Sequence, residues 1–186
     1  MKIGLVGSHG TGKSTLSYLL AGELQKRDYS VGLILETVRE CPFPINEDSP
    51  LEAQLWMACT QVAKELEMAE RYPVVVCDRS ILDYVVYMKE RFGGKDLGTA
   101  CQNVMDGLER LALGFLPTYD LLVYLPLSGT RLKEDGTRSV DPGWQARVDA
   151  MFQTVLEEKS IPHLKLDTTA PDAEQLGEIL KRLPFP

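Results

Sequence analysis

The chain has 186 residues, 44% hydrophobic and 25% charged, and 20 Lys and Arg against 27 Asp and Glu leave a formal net charge of −7. That length suits one domain with a full hydrophobic core, and the acidic balance argues against a non-specific nucleic-acid binder, which needs a basic surface. Cys41, Cys59, Cys77 and Cys101 form no CxxC pair, no apolar run approaches a membrane span, and the opening Met1 to Val6 is too short for a signal peptide, so no zinc site, disulfide framework or membrane anchor is expected, and a soluble cytoplasmic protein is.

In chain order, Lys2 to Val6 reads as a buried strand, and Gly7 to Gly12 as a glycine-rich turn. A helix from Lys13 to about Arg27 follows, with Leu16, Leu19, Leu20 and Leu24 at helical spacing. Val31 to Leu35 is the second strand, continuously apolar apart from Gly32, as suits a strand covered on both faces. Pro42, Pro44, Asn46, Asp48 and Pro50 mark an irregular loop. The next helix, 51 to 71, carries start signals: Ser49 as cap, Pro50 at the first position and Glu52 to close a capping box. Leu51, Leu55, Ala58, Val62, Leu66 and Ala69 are its expected apolar stripe, with Gln54, Met57, Gln61 and Lys64 on the opposite, polar face.

Val74 to Cys77 is the third strand and runs into Asp78-Arg79-Ser80. Ser80 and Asp83 predict a capping box for a helix reaching about Arg91. Gly93, Gly94 and Gly98 frame a loop before a helix over about 100–113. Leu121 to Leu125 is the fourth strand, Pro126 to Pro142 is polar and charged, and a helix capped by Asp141 runs to about Lys159. Leu164 to Leu166 and a helix over about 172–183 complete the chain. Strands alternate with helices throughout, which predicts one α/β domain with a largely parallel five-stranded sheet and helices on both faces.

Gly7-Ser8-His9-Gly10-Thr11-Gly12-Lys13-Ser14 fits G-x-x-x-x-G-K-[ST] in full, between a strand and a helix. Gly7, Gly10 and Gly12 let the backbone curl so that its amides face phosphate oxygens, aided by the helix N-terminus. Lys13 is expected at the outer phosphates, Ser14 on Mg²⁺ and Thr15 at the inner phosphate. His9 and Thr11 belong to the loop, and His9 receives no catalytic role. A dinucleotide site explains neither Lys13 nor Ser14.

Parallel sheets place their chemistry at the carboxyl ends of the strands. Glu36 ends the second strand, where it suits a group that orients a substrate hydroxyl and takes its proton, and Asp78 ends the third, where it suits Mg²⁺. Arg79, and Arg39 beside Glu36, suit bidentate recognition of phosphate or carboxylate. Gln54, Gln61, Tyr84 and Tyr87 are candidates for holding an aromatic ring. Arg131, Lys133 and Arg138 put three cations in a short stretch of an acidic protein, which suggests a lid over the transferring phosphate, with Arg147 in the helix beyond.

The run Gly7 to Thr15, Glu36-x-x-Arg39, Asp78-Arg79-x-x-x-Asp83 and Asp135-Gly136-x-Arg138 together resemble the P-loop kinases related to the ribosylnicotinamide kinase domain of bifunctional NAD-salvage proteins, of the AAA-type ATPase and kinase family. More distantly the chain resembles thymidylate and deoxynucleoside kinases. The resemblance implies strand order 2-3-1-4-5, ATP and Mg²⁺ as cofactors, phosphate transfer to a nucleoside-like small molecule, and Arg138 in the lid. A nucleoside monophosphate kinase, a nucleotide-binding ATPase and a polynucleotide 5′-kinase stay open as alternatives, as does the choice between monomer and homodimer.

Overall fold

The computed structural model describes residues 1–129 and 139–184. The elements are β1 (Lys2–Val6), α1 (Lys13–Lys26), β2 (Val31–Ile34), α2 (Leu51–Arg71), β3 (Val74–Asp78), α3 (Ile81–Phe92), α4 (Gly98–Phe115), β4 (Leu121–Tyr124), α5 (Pro142–Glu158), β5 (Leu164–Lys165) and α6 (Asp172–Leu180). The strands form one sheet in the order β2-β3-β1-β4-β5, with every neighbouring pair parallel.

Alternation along each strand divides the interior into two cores. Ile3, Leu5, Val74 and Val76 point to α1 and α6, where they meet Leu16, Leu20, Leu24 and Ile179. Val6, Val75 and Cys77 point to the other face, against α2, α3 and α5. Runs that look uniformly apolar in sequence are therefore two interleaved period-2 patterns, one for each layer of helices. Gly4 marks a close approach, because a Cβ there would sit 3.0 Å from the Leu122 and Tyr119 side chains.

Element ends differ from the expectations at β2 and at α2. β2 stops at Ile34, and Leu35 is exposed, because the chain turns there towards a 3₁₀ turn over Thr37–Glu40. Pro50 is the cap residue of α2, with no side-chain cap bond, so the Ser49–Glu52 box is not formed. The Ser49 hydroxyl instead accepts a bond from Gln54 Nε2 at 3.0 Å. The Ser80–Asp83 capping box at α3 is present in full: the Leu82 amide donates to Ser80 Oγ and the Ser80 amide to Asp83 Oδ2.

The larger correction concerns α2. Leu55 and Leu66 of the expected apolar stripe are exposed, whereas Gln54, Met57, Gln61 and Glu65 are buried. The helix faces inward with its polar side because that side has partners. Glu65 accepts from Lys2 Nζ at 2.7 Å and from the Tyr119 hydroxyl at 2.6 Å, and Gln61 Nε2 donates to Glu65 at 2.8 Å. Buried polar groups are tolerated when their hydrogen bonds are made.

Candidate active site

The loop after β1 wraps closely around its own backbone. Gly7 has φ of 146°, and a Cβ there would lie 2.5 Å from the Leu125 carbonyl oxygen. Gly12, with φ of 93°, turns the chain into α1. Lys13, the first residue of α1, folds back inside the curl, where its Nζ donates to the carbonyls of Gly7 at 2.8 Å and Ser8 at 2.6 Å. Thr11 Oγ1 donates to the Ser8 carbonyl at 3.0 Å, so Gly7 and Thr11 shape the loop from behind. The loop is also tied to two helices. The His9 amide donates to the Tyr87 hydroxyl of α3 at 3.0 Å, and the His9 carbonyl accepts from Gln145 Nε2 of α5 at 2.6 Å.

The cavity in front of this loop brings together distant parts of the sequence. Gly10, Gly12, Lys13, Ser14 and Thr15 form one wall, and Glu36, Asp78 and Arg79 face them from the ends of β2 and β3. Parallel pairing of β3 with β1, which sets Asp78 opposite Leu5, carries that carboxylate to the mouth of the loop.

Arg79 is the most constrained residue there. Its φ is 92°, in the left-handed region that only a strong set of contacts holds for a long side chain. Those contacts are present. Its amide donates to the Leu5 carbonyl at 3.1 Å, and its own carbonyl accepts from Gln61 Nε2 at 3.2 Å. Its Nε donates to Glu36 Oε1 at 2.7 Å, one terminal nitrogen bonds the same oxygen, and the other lies 3.5 Å from Asp83 Oδ1. Burial alone would lower the Arg79 pKa, but Glu36, Tyr87 and Asp83 outweigh it and hold the group well above its usual value. Burial pushes the Asp83 carboxyl up to about 6, with Arg79 and Lys13 pulling the other way.

Lys13 is shifted in the opposite direction. Burial, reinforced by the positive charge of Arg79, lowers it to about 8. This has a consequence for anion binding. Below pH 8 the ammonium is already formed and phosphate binds without taking up a proton. Above pH 8 the free protein has lost that proton and must regain it when the anion raises the pKa again. Affinity for ADP should therefore fall as pH rises past 8, by up to about tenfold per unit. Calorimetry in buffers of different ionisation enthalpy should count the proton taken up, and Lys13→Met should flatten the profile.

A second cavity opens beside the first and shares His9, Glu36 and Arg79 with it. Tyr84, Tyr87 and Trp144 give it an aromatic wall, while Gln54, Met57 and Val38 line another part. The Gln54 amide is buried, and with Nε2 donated to Ser49 its Oε1 has no partner among the described residues. Gln61 lies outside this lining, fully buried behind Tyr84 and holding the Arg79 carbonyl. Arg39 is exposed on its 3₁₀ turn and lines neither cavity. Arg147 is directed at Glu90, its Nε 2.8 Å from Oε1. Arg131, Lys133 and Arg138 lie outside the described residues. Sequence reasoning missed Trp144 and Gln145, more than 130 positions from the loop they serve. The available signal was local: the Asp141 cap followed by Pro142, which puts Trp144 in the first turn of a helix directly after the charged stretch.

A larger cleft at the opposite ends of β4 and β5, lined by Tyr119, Asp120, Lys159 and His163, lies away from all of these groups. Among the described residues, no helix is long and apolar enough to cross a membrane.

No curated protein matches the sequence. Three solved structures match over 98% of this chain and 98% of theirs at 18% identity: deoxyadenosine kinase from M. mycoides with bound dATP and with products dCMP and a flexible dCDP, each at a TM-score of 0.73, and the same enzyme with bound dCTP at 0.74. At that identity the likeness shows a common fold, with one five-stranded parallel sheet between layers of helices. A family model described as "AAA domain" matches residues 2–173. The phosphate loop, the strand ends that face it and nearly all of the sheet fall within that span, and the chain belongs to the AAA domain family.

Proposed function

We propose that this protein transfers the γ-phosphate of ATP to a hydroxyl of a nucleoside-like small molecule. One observation supports this most directly: the phosphate-loop cavity and the aromatic cavity meet at His9, Glu36 and Arg79. A triphosphate in the first and a ring-bearing alcohol in the second would place the outer phosphate and the acceptor oxygen on either side of one carboxylate. Phosphoryl transfer asks a protein mainly for positioning and charge neutralisation. In this reading the Lys13 ammonium leaves the loop carbonyls for the outer phosphates. Glu36, steered by Arg79, orients the acceptor hydroxyl and takes its proton. Ser14 and Asp78 line the same cavity, which fits Mg²⁺, a hard cation that takes few protein oxygens and completes its shell with phosphate and water. When bound, the ion supplies charge neutralisation at the phosphates. Arg131 and Arg138 are assigned to the same task.

The cavity favours a nucleoside over a nucleoside monophosphate. Arg79 is the only Lys or Arg among its described lining residues, and it already serves Glu36 and Asp83. A second phosphate on the acceptor would meet no further cation among those described residues. Ribosylnicotinamide is the acceptor that the resemblance in sequence suggests, and deoxyadenosine is the alternative suggested by the structural neighbours. The test is product analysis by mass spectrometry with MgATP and a panel of ribosylnicotinamide, deoxyadenosine, thymidine and the corresponding monophosphates. A nucleoside should yield its monophosphate. Reaction of monophosphates alone, or slow ATP hydrolysis indifferent to every acceptor, overturns the reading.

A further inference from the structure

We infer that Trp144 is the shape-selecting wall of the acceptor cavity, a specificity-determining residue that discriminates acceptors by ring size. The inference rests on the kinase reading above and adds to it which side chain chooses the substrate.

Trp144 lines the cavity yet is only 4% exposed. Its single polar atom is turned elsewhere, since Nε1 donates to Glu90 Oε2 of α3 at 2.7 Å. Glu90 is itself held by Arg147 at 2.8 Å, so the indole is pinned from behind. Its ring lies 4.9 Å from the His9 ring and 5.5 Å, edge-on, from Tyr87. The Tyr87 hydroxyl is likewise spent, bonding the His9 amide and lying 3.1 Å from His9 Nδ1. The Tyr84 hydroxyl is shared between Thr37 and Gln61. All three aromatic residues of the cavity have therefore committed their polar atoms to the protein. They offer an acceptor π surface and shape, and hydrogen-bond recognition falls to the polar lining residues, among them Gln54, whose Oε1 has no partner among the described residues.

A wall of this kind selects by fit. Discrimination by fit in an apolar pocket amounts to about ten- to two-hundredfold per small group, in contrast to the larger rejection a hydrogen-bonding site achieves. Trp144 is suited to that task because it is rigid. Pro142 and the Asp141 cap fix the first turn of α5, and the adjacent Gln145 is bonded to the phosphate loop through the His9 carbonyl.

The test measures kcat/KM for deoxyadenosine, ribosylnicotinamide and thymidine with MgATP in the wild type, W144A and W144F, together with the Kd for ADP by calorimetry. W144A should raise the ratio of kcat/KM for the purine to that for the single-ring acceptors by about tenfold or more. W144F should shift it less, and ADP affinity should stay within about twofold, since fit at the acceptor ring is a property of the second cavity. If W144A does not fold, W144F alone must show the change in ratio. An unchanged ratio, or a parallel loss of ADP binding and of every acceptor, overturns the inference and makes Trp144 a packing residue. Failure of the kinase reading looks different: ADP binds, no acceptor is phosphorylated by any variant, and in W56F, where Trp144 is the single tryptophan, none of the three nucleosides changes its emission. That result removes both claims together.

Discussion

Lys13→Ala should lower turnover with MgATP by about 10³-fold or more, the scale on which removal of a preorganised charge at a transferring phosphoryl group acts, while thermal unfolding shifts by only a few degrees. The asymmetry follows from what Lys13 does in the fold. Its ammonium is buried at some cost, shown by its pKa falling to about 8, and it bonds two loop carbonyls that water can reach once the side chain is gone. The desolvation relieved and the hydrogen bonds lost work in opposite directions. At the phosphates no other described residue takes over that charge, because Arg79, the other cation of that cavity among the described residues, is held by Glu36 and Asp83. Steady-state kinetics beside a melting curve check both halves. Turnover within tenfold of the wild type would remove Lys13 from the chemistry.

The Glu36–Arg79 pair should separate stability from catalysis. Both side chains are nearly enclosed, at 6% and 8% exposure. Breaking a buried pair by removing one partner leaves the other charge uncompensated, at about 3–5 kcal/mol. Glu36→Gln keeps an acceptor for the guanidinium and should sit near the lower end of that range, whereas Arg79→Met removes the guanidinium from the carboxylate and should sit near the upper end. The double variant should recover much of the lost stability, as replacement of whole buried pairs by apolar groups does. Activity should not recover. Loss of a general base costs about 10² to 10⁴-fold, and restoring packing does not restore a carboxylate. Urea unfolding and turnover for the two single variants and the double variant form a complete cycle. Recovery of activity alongside stability would show the pair to be a structural bridge.

How much of this was legible in the sequence depends on how local the physics is. The phosphate loop was, because a tight curl, a lysine and a hydroxyl residue at set spacing are properties of eight consecutive residues. The Ser80–Asp83 cap was, for the same reason. The outward direction of Leu55 and Leu66 was not. Periodicity marks which residues share a face, and Gln54, Met57 and Gln61 do share one. Whether that face turns inward depends on partners supplied by Lys2, Arg79 and Tyr119, which are remote in sequence.

The same distinction separates the two cavities. The donor side was readable because the parallel sheet sends every strand end to one edge, so Glu36 and Asp78 had to arrive near Lys13 once the strands were assigned. The aromatic cavity combines α2, α3 and the first turn of α5 with the 3₁₀ turn after β2. Its composition is set by how helices pack on a sheet face, with no fixed spacing to reveal it. Sequence alone thus determined the sheet, the phosphate loop and the two acidic strand ends, since hydrophobic period and backbone geometry act over a few residues. Tertiary structure alone decided that Gln61 supports Arg79 from behind, that Arg39 stays outside and that Trp144 closes the pocket, since each depends on which surfaces meet when distant helices bury their shared faces.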